Sequence, residues 1–226
     1  MARISRLGLV SILCLIVLSA GCAPQDPFIE NTDWSNIWIP HANQDQKPRV
    51  LLVGDSISGG FAARVEDQMA DEVYLGWYTT SKLIADPDFF SELEIILTRY
   101  DFAVIHANNG LHGWDYSEAE YEKSLREFVS FVQKHEPTAK IIWGSSTPLR
   151  EKQQPEELSY RNLRVVRRNE IAEKIMGRSD IPINDLYELV IDHPEYYQTD
   201  GFHFNSEGKS SLADQVTKEI REILSE

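Results

Sequence analysis

The sequence predicts an α/β fold in which helices cover both faces of a parallel sheet. From residue 49 onward, short apolar runs typical of buried strands alternate with longer segments of helical periodicity. Parallel strands need crossover connections, and right-handed helical crossovers place the helices on both faces. The alternation continues to the end of the chain without an internal repeat. We therefore expect one domain over residues 48–226, with a core large enough to be stable by itself.

Five strands and five main helices follow from this pattern. The strands are expected at 49–54 (RVLLVG), 72–76 (EVYLG), 101–107 (DFAVIHA), 140–144 (KIIWG) and 181–185 (IPIND). The helices are expected at 59–70, 88–100, 117–136, 159–177 and 206–226. Sites in such sheets form at the carboxyl ends of the strands. Ser56, Gly76, the pair Asn108 and Asn109, and residues 145–147 follow four successive strands, so we expect them along one edge.

The first 47 residues are expected to lie outside the domain. Two arginines precede an apolar run over residues 7–18, and small residues follow it, as in an export signal. The run is shorter than the roughly 20 residues of a membrane-spanning helix. Residues 22–47 hold several Pro, Asn, Asp and Gln without a sustained period. We interpret them as a tether whose Trp34 and Trp38 pack against the edge of the domain.

The segment LSAGC at residues 18–22 resembles a bacterial lipoprotein signal. The resemblance implies that residues 1–21 are removed and that Cys22 is lipidated and becomes the new N-terminus. Ala23, in place of an aspartate, is similar to signals that sort to the outer membrane. We therefore expect a lipid anchor in the bacterial cell envelope, with membrane contact through this lipid only. The alternative is an ordinary secretory signal followed by a chance cysteine.

The charge of the chain argues against nucleic acid as a partner. There are 22 basic and 36 acidic residues, which gives a formal net charge of -14. Removal of residues 1–21 takes away two of the basic residues and no acidic ones, so the charge becomes -16. Such a surface repels phosphate backbones and anionic head groups. Because the two cysteines are Cys14 and Cys22, the processed chain cannot form an internal disulfide.

Residues 51–60 (LLVGDSISGG) end a buried strand on Gly-Asp-Ser and leave the hydroxyl of Ser56 at its tip. A serine there is either a helix cap or a nucleophile, and a nucleophilic serine needs a base. Asp200 precedes His203 by three positions in TDGFHFN, just before the last helix. A turn through Gly201 can bring the carboxylate onto one ring nitrogen and leave the other facing outward to accept the serine proton. We therefore interpret Ser56, Asp200 and His203 as nucleophile, acid and base.

An acyl-transfer site also needs hydrogen-bond donors for the oxyanion. The candidates are the backbone N–H groups of Ser56 and Gly76 and a side-chain amide from the segment HANNG at residues 106–110. No His, Cys or carboxylate spacing is typical of a zinc site, and we expect no metal or other cofactor.

Together these blocks resemble the SGNH, or GDSL-type, hydrolase family over about residues 49–224. The matching segments are GDSIS, the strand-end glycine, the asparagine-containing third block and DGFH. The resemblance implies a flavodoxin-like, three-layer α/β/α fold and serine esterase, lipase or carbohydrate O-acetylesterase activity. It also implies that Ser56 is the nucleophile, His203 the base and Asp200 its orienting acid.

The middle two blocks depart from the family pattern. The third block of the family reads Gly-x-Asn-Asp, whereas this chain has NNGLHG at residues 108–113. Asn108, Asn109 and His112 are therefore all candidates for the oxyanion site, and we favour Asn109. The second block lacks Asn-x-Gly, so Gly76 is a positional assignment, and residues 79–81 (TTS) are the alternative.

Other chemistry-bearing residues have structural interpretations. Asp192 and His193 form a rival acid and base, but Pro194 follows at once and we assign them to a loop. His106 lies on a predicted strand and is expected in the core. The arginines of the fourth helix are expected on a solvated, ion-paired face, whereas aromatic residues near the sheet edge are candidates for stacking on a sugar. The arginines are Arg161, Arg164, Arg167 and Arg168, and the aromatic residues are Trp77, Trp114 and Tyr116.

The sequence therefore predicts a serine esterase that acts on small acyl esters, with O-acetyl groups on carbohydrate as the favoured substrate. The expected partner is an acylated small molecule or glycan. A lysophospholipase or thioesterase is the alternative among enzymes. A catalytically silent, glycan-binding lipoprotein is the alternative from another class.

Overall fold

The computed structural model describes residues 31–226. The strands are β1 (Ser35–Trp38), β2 (Arg49–Gly54), β3 (Tyr74–Thr80), β4 (Val104–Ala107), β5 (Lys140–Gly144), β6 (Arg150–Glu151), β7 (Gln154–Leu158) and β8 (Ile183–Asn184). The helices are α1 (Ser56–Met69), α2 (Pro87–Leu97), α3 (Glu118–His135), α4 (Asn162–Arg178), α5 (Leu186–Ile191) and α6 (Ser206–Leu224), with a 3-10 turn at Pro194–Tyr196. The expected signal at residues 1–21 and the expected lipidation of Cys22 lie outside the described residues.

The central sheet has the strand order β1-β3-β2-β4-β5-β8. Five of these strands are parallel, namely β3, β2, β4, β5 and β8, and they correspond to the five predicted strands. Their order, 2-1-3-4-5 in chain sequence, is that of flavodoxin-like folds. The predicted α/β/α architecture with a five-stranded parallel sheet is therefore confirmed, with one additional strand.

The additional strand is β1, which pairs antiparallel with β3 at the edge of the sheet. It belongs to the segment that the sequence assigned to a tether. All four residues of β1 are exposed, so the segment lacks the buried apolar pattern by which the other strands are recognised. Hydrogen bonds across the edge hold it, and the ammonium of the buried Lys82 lies 3.1 Å from Asp33 and 3.4 Å from Glu92 of α2.

Two hydrophobic clusters, one on each face of the sheet, form the core. Helices α2, α3 and α4 pack on one face, where the cluster includes Phe89, Phe128 and Trp143. Helices α1 and α6 cover the other face, where the cluster includes Phe61 and Val216. All five predicted helices are present, whereas α5 and the hairpin β6–β7 were not predicted.

Strand β3 is longer than the sequence indicated. It continues through Trp77 and Tyr78 to Thr80, whereas the prediction ended it at Gly76. The extension is favoured because β3 is paired on both sides, with β2 and with β1, and because aromatic and threonine side chains suit a sheet. Within residues 31–226, none of the helices has both the length and the apolar composition needed to cross a bilayer.

Candidate active site

Ser56 is the first residue of α1, directly beyond the carboxyl end of β2. The helix is capped by Asp55, whose Oδ1 accepts the N–H of Ile57 at 2.8 Å. The capping function that could have explained Ser56 is therefore supplied by its neighbour. The Ser56 hydroxyl instead lies 2.9 Å from Nε2 of His203. At this position the backbone N–H of Ser56 is among the helix-terminal donors without an intrahelical partner.

Asp200 and His203 complete a hydrogen-bonded chain with Ser56. Oδ2 of Asp200 lies 2.7 Å from Nδ1 of His203. A carboxylate only accepts, so Nδ1 carries the proton and the lone pair of Nε2 faces the serine hydroxyl. The structure thus brings together three side chains that are separated by up to 147 positions in sequence.

A tight turn holds the carboxylate of Asp200 in place. Its Oδ1 accepts the backbone N–H groups of Phe202 at 3.1 Å and His203 at 2.9 Å. Burial raises the pKa of Asp200, but hydrogen bonds from the backbone and ring of His203 and from Phe202 outweigh it. The pKa therefore lies below its ordinary value, and the carboxylate stays ionised. Gly201 makes the turn possible, because its φ is +87°, where other residues are strained.

The hairpin β6–β7 supports this turn from below. The backbone N–H of Arg150 donates to the carbonyl of Gly201 at 2.8 Å, and that of Gln153 donates to Thr199 at 2.7 Å. The buried side chain of Arg150 donates to the carbonyls of Pro155 and Ile191. Sequence reasoning missed this support, because the hairpin is short, mostly exposed and lacks a strong apolar pattern.

Two cavities open on either side of Ser56, each with a volume of about 270 Å³. The first, which we call the aromatic cavity, is lined by Asp55, Ser56, Ile57, Leu111, His112, Trp114, Leu149, Arg161 and Phe202. The second, which we call the histidine-side cavity, is lined by Ser56, Ile57, Gly60, Gln198, His203, Phe204 and Lys209. A larger cavity of about 390 Å³ between β5, β8 and α4 does not include Ser56.

Gly76 does not lie at this site, contrary to the prediction. It pairs with Leu51 in the middle of the sheet, whereas Thr79 lies at the level of Gly54. Three residues along a strand span about 10 Å, so Gly76 lies about this far from the carboxyl end of the sheet, where Ser56 is located. The glycine is instead needed for packing, because an added Cβ would lie 2.7 Å from the side chain of Ile39.

Asn109 also has a different role from the one predicted. Its Oδ1 accepts the N–H of Ile84 at 3.3 Å and its Nδ2 donates to the carbonyl of Lys82 at 3.0 Å, so the amide holds the loop after β3. Asn108 donates to the carbonyl of Gly144 at 2.7 Å and lies 3.3 Å from Ser146 Oγ. Neither asparagine lines a cavity next to Ser56, whereas His112 lines the aromatic cavity.

Arg168 is the principal residue that sequence reasoning misassigned. It has no exposed surface, and its guanidinium donates to the carbonyls of Gly110 at 3.0 Å, His112 at 2.6 Å and Gly113 at 2.8 Å. The solvated face predicted for the α4 arginines is therefore wrong for Arg168, although it holds for Arg167. The spacing held the signal, because position 168 falls within the buried stripe of α4, formed by Val165, Arg168, Ala172 and Ile175.

The remaining candidates are resolved by their surroundings. His106 is buried in β4, its Nε2 accepts from Asn184 at 3.1 Å, and burial lowers its pKa to about 4. His193 lies 2.8 Å from Glu195, away from both cavities. Both findings agree with the structural interpretations. Of the three aromatic candidates, only Trp114 lines the aromatic cavity, because Tyr116 is buried and Trp77 stacks on Trp38 of β1.

A serine, histidine and carboxylate joined by hydrogen bonds at the carboxyl edge of a flavodoxin-like sheet have the geometry of a serine hydrolase site. Comparison with solved structures gives the same class of fold. A GDSL-like lipase from Bacteroides thetaiotaomicron superimposes with a TM-score of 0.64 and 17% identity, over 80% of this chain and 93% of that chain. A putative SGNH hydrolase from Slackia heliotrinireducens gives a TM-score of 0.62 and 16% identity, over 77% and 100%.

An acetyl xylan esterase is similar to the same degree, with a TM-score of 0.62 and 17% identity over 76% of this chain and 99% of that chain. No protein-family model matches the chain, and no curated protein matches it significantly. The structural similarities show that the chain has the fold of the SGNH and GDSL-like hydrolases.

Proposed function

We propose that the protein is a serine esterase that hydrolyses small acyl esters, with O-acetyl groups on carbohydrate as its substrate class. The observation that carries the proposal is the hydrogen-bonded chain from Ser56 through His203 to Asp200. Structural similarity to lipases, acylhydrolases and an acetyl xylan esterase supports acyl-ester chemistry.

The reaction follows from this geometry in two steps. His203 Nε2 accepts the hydroxyl proton as Ser56 Oγ bonds to the acyl carbon, and the resulting imidazolium is stabilised by Asp200. Collapse of the tetrahedral intermediate breaks the bond to the alcohol oxygen, which receives the proton from His203. Water then attacks the acyl-serine and gives one proton to His203. As the second tetrahedral intermediate collapses, Ser56 Oγ takes that proton and the carboxylic acid leaves with the other proton of the water, which it loses to the solvent.

Backbone N–H groups are the proposed donors to the oxyanion. The N–H of Ser56 is one, because it lies in the first turn of α1, where the helix dipole also favours negative charge. The second is from the loop at residues 110–113. In a trans peptide the N–H points opposite to the C=O, so when Arg168 holds the carbonyl of Gly110, the N–H of Leu111 points away from Arg168. Leu111 lines the aromatic cavity.

The cavities favour a small substrate. Each has a volume of about 270 Å³, slightly below the range of roughly 300–1,000 Å³ for drug-sized ligands. Trp114 and Phe202 give the aromatic cavity apolar walls suited to one ring of a sugar.

The test is hydrolysis of p-nitrophenyl acetate by the purified protein and by its Ser56→Ala variant. We expect the substitution to lower kcat by at least about 10³-fold, because no other group replaces the nucleophile. Ser58→Ala is the matched control, since it removes a neighbouring hydroxyl of α1 and should keep most of the activity. A fluorophosphonate adduct should map to the peptide that contains Ser56.

The same experiments discriminate between the alternatives. Rates that increase from acetate to octanoate esters would favour a lysophospholipase or thioesterase. That result would agree with the structural similarity to a lipase/acylhydrolase from Enterococcus faecalis. Absence of both turnover and fluorophosphonate labelling, with measurable glycan binding, would favour a catalytically silent binding protein. An unchanged esterase rate in Ser56→Ala would refute the mechanism.

We also propose that the protein is exported and held in the bacterial cell envelope by lipid on Cys22, in the outer membrane rather than the inner. The support is the sequence of residues 18–23. Cells grown with radiolabelled palmitate should incorporate label into the wild type and not into Cys22→Ala. Equal incorporation into the variant would exclude this anchor.

A further inference from the structure

The four arginines at the N-terminus and in the first two turns of α4 differ in their partners. Three of them have a carboxylate within ion-pair distance. The pairs are Arg164 with Glu118 at 2.6 Å, Arg168 with Glu118 at 3.9 Å, and Arg167 with Glu170 at 2.7 Å. Among residues 31–226, no carboxylate lies within such a distance of Arg161. Its charge is therefore available to a ligand.

Arg161 is placed at the cavity that contains the proposed nucleophile. It is the N-cap residue of α4 and lines the aromatic cavity together with Ser56. Its guanidinium carbon lies 5.8 Å from the ring of Trp114. Its Nε donates to the hydroxyl of Tyr160 at 3.1 Å, which leaves both terminal NH₂ groups for a planar, two-oxygen acceptor.

The local backbone adds to the positive potential at this point. Arg161 is the N-cap residue of α4, where the positive end of the helix dipole lies, and no side chain caps the first turn. The whole chain, by contrast, carries a net charge of -14 and repels anions. A neutral substrate would gain no electrostatic attraction from an unpaired cation at the site. An anionic substrate would be attracted to it despite the repulsion by the rest of the surface.

We propose that Arg161 binds a carboxylate on the alcohol part of the ester, so that the protein acts on O-acylated acidic sugars in preference to neutral ones. This inference rests on the proposed function. The acyl group is placed on Ser56, the sugar ring lies between Trp114 and Phe202, and the carboxylate pairs with the guanidinium. Arg161 then determines specificity and takes no part in proton transfer.

The experiment compares 3-acetoxybenzoate with phenyl acetate, which differ by one carboxylate on the alcohol part. The ratio of their kcat/KM values is measured for the wild type, Arg161→Gln, Arg161→Lys and Arg167→Gln. Intrinsic differences in reactivity cancel when this ratio is compared between variants. We expect Arg161→Gln to lower the ratio about tenfold, the effect of roughly 1.4 kcal/mol, and Arg161→Lys to restore part of it. Arg167→Gln removes the same charge from the exposed, paired position and should leave the ratio unchanged.

Binding gives a second readout that does not depend on turnover. In a Ser56→Ala background, 3-acetoxybenzoate should bind more tightly than phenyl acetate by calorimetry, and addition of Arg161→Gln should remove the difference. An unchanged preference in Arg161→Gln, or an equal loss in Arg167→Gln, would overturn the inference. Failure of the wild type to hydrolyse phenyl acetate would instead count against the proposed function, and the binding comparison would still decide the role of Arg161.

Discussion

At the scale of single residues, the site depends on which side chain performs which local task. Asp55 caps α1, so the hydroxyl of Ser56 is not needed as the helix cap and can form a hydrogen bond with His203. The short segment that contains Asp200 and His203 could be predicted, because the spacing of three positions is enough to form the turn. The different role of Asn109 could not be predicted, because its side-chain amide is directed by contacts with a loop distant in sequence.

The role of Asp200 can be tested by Asp200→Asn. The amide can donate a hydrogen bond to Nδ1 of His203, whereas the carboxylate can only accept one. The ring then adopts the wrong tautomer, in which Nε2 carries the proton and cannot accept the proton of Ser56. We expect kcat for p-nitrophenyl acetate to fall by about 10³–10⁴-fold, with a smaller effect on KM. Asp192→Asn is the control, because Asp192 belongs to the rival pair outside both cavities. Equal losses in the two variants, or none in Asp200→Asn, would contradict the assignment.

At the scale of elements, the site is built from segments that are irregular or short. The main strands and helices were predictable because each buries an apolar face with a clear period, as β2 and α3 do. Strand β1 and the hairpin β6–β7 have mostly exposed residues, and hydrogen bonds to distant segments hold them. The misplaced Gly76 has the same origin, since pairing with β1 extends β3 beyond the point where its local pattern ends.

The turn between Asp200 and His203 should be sensitive to Gly201→Ala. The positive φ alone costs about 1–2 kcal/mol for a residue with a side chain. The added Cβ would also lie 2.4 Å from the carbonyl oxygen of Arg150, so the turn must move away from the hairpin. We expect lower thermal stability and a large loss of esterase activity.

Gly177→Ala provides the matched control for this substitution. Gly177 lies in α4, and a Cβ added there meets no atom within 4 Å. Alanine should therefore leave activity intact and keep or slightly increase the melting temperature. Similar behaviour of the two variants would show that the turn does not need glycine.

At the scale of the whole molecule, two cores on opposite faces of the sheet bury ionisable groups whose stability effects have opposite signs. His106 is buried and neutral, and burial lowers its pKa from 6.5 to about 4. Glu136 is the C-cap residue directly after α3, and 4% of its surface is exposed. Burial is the main cause that raises its pKa from 4.5 to about 7, against the hydrogen bond from the N–H of Phe102. The sequence does not reveal either shift, because each depends on packing across elements.

The two shifts predict opposite dependences on pH. The contribution of His106 is present above about pH 6.5 and is lost as the pH falls towards 4, because the unfolded chain binds the proton more readily. The contribution of Glu136 is present below about pH 4.5 and is lost as the pH rises through 7, because the folded chain binds the proton more readily. In the wild type these two effects partly offset each other between pH 4.5 and 6.5.

Glu136→Gln separates the two effects, because the amide resembles the protonated carboxyl and does not titrate. The melting temperature of the variant, relative to that of the wild type, should rise steadily as the pH increases from 4.5 to about 8. Glu127→Gln is the control on the same helix, since Glu127 has 55% of its side chain exposed and should show a much smaller change. Thermal unfolding followed by circular dichroism measures both differences. If the difference in melting temperature between Glu136→Gln and the wild type stays constant across this range, the carboxyl titrates alike in the folded and unfolded chains. Burial would then not raise the pKa of Glu136, and the prediction would be wrong.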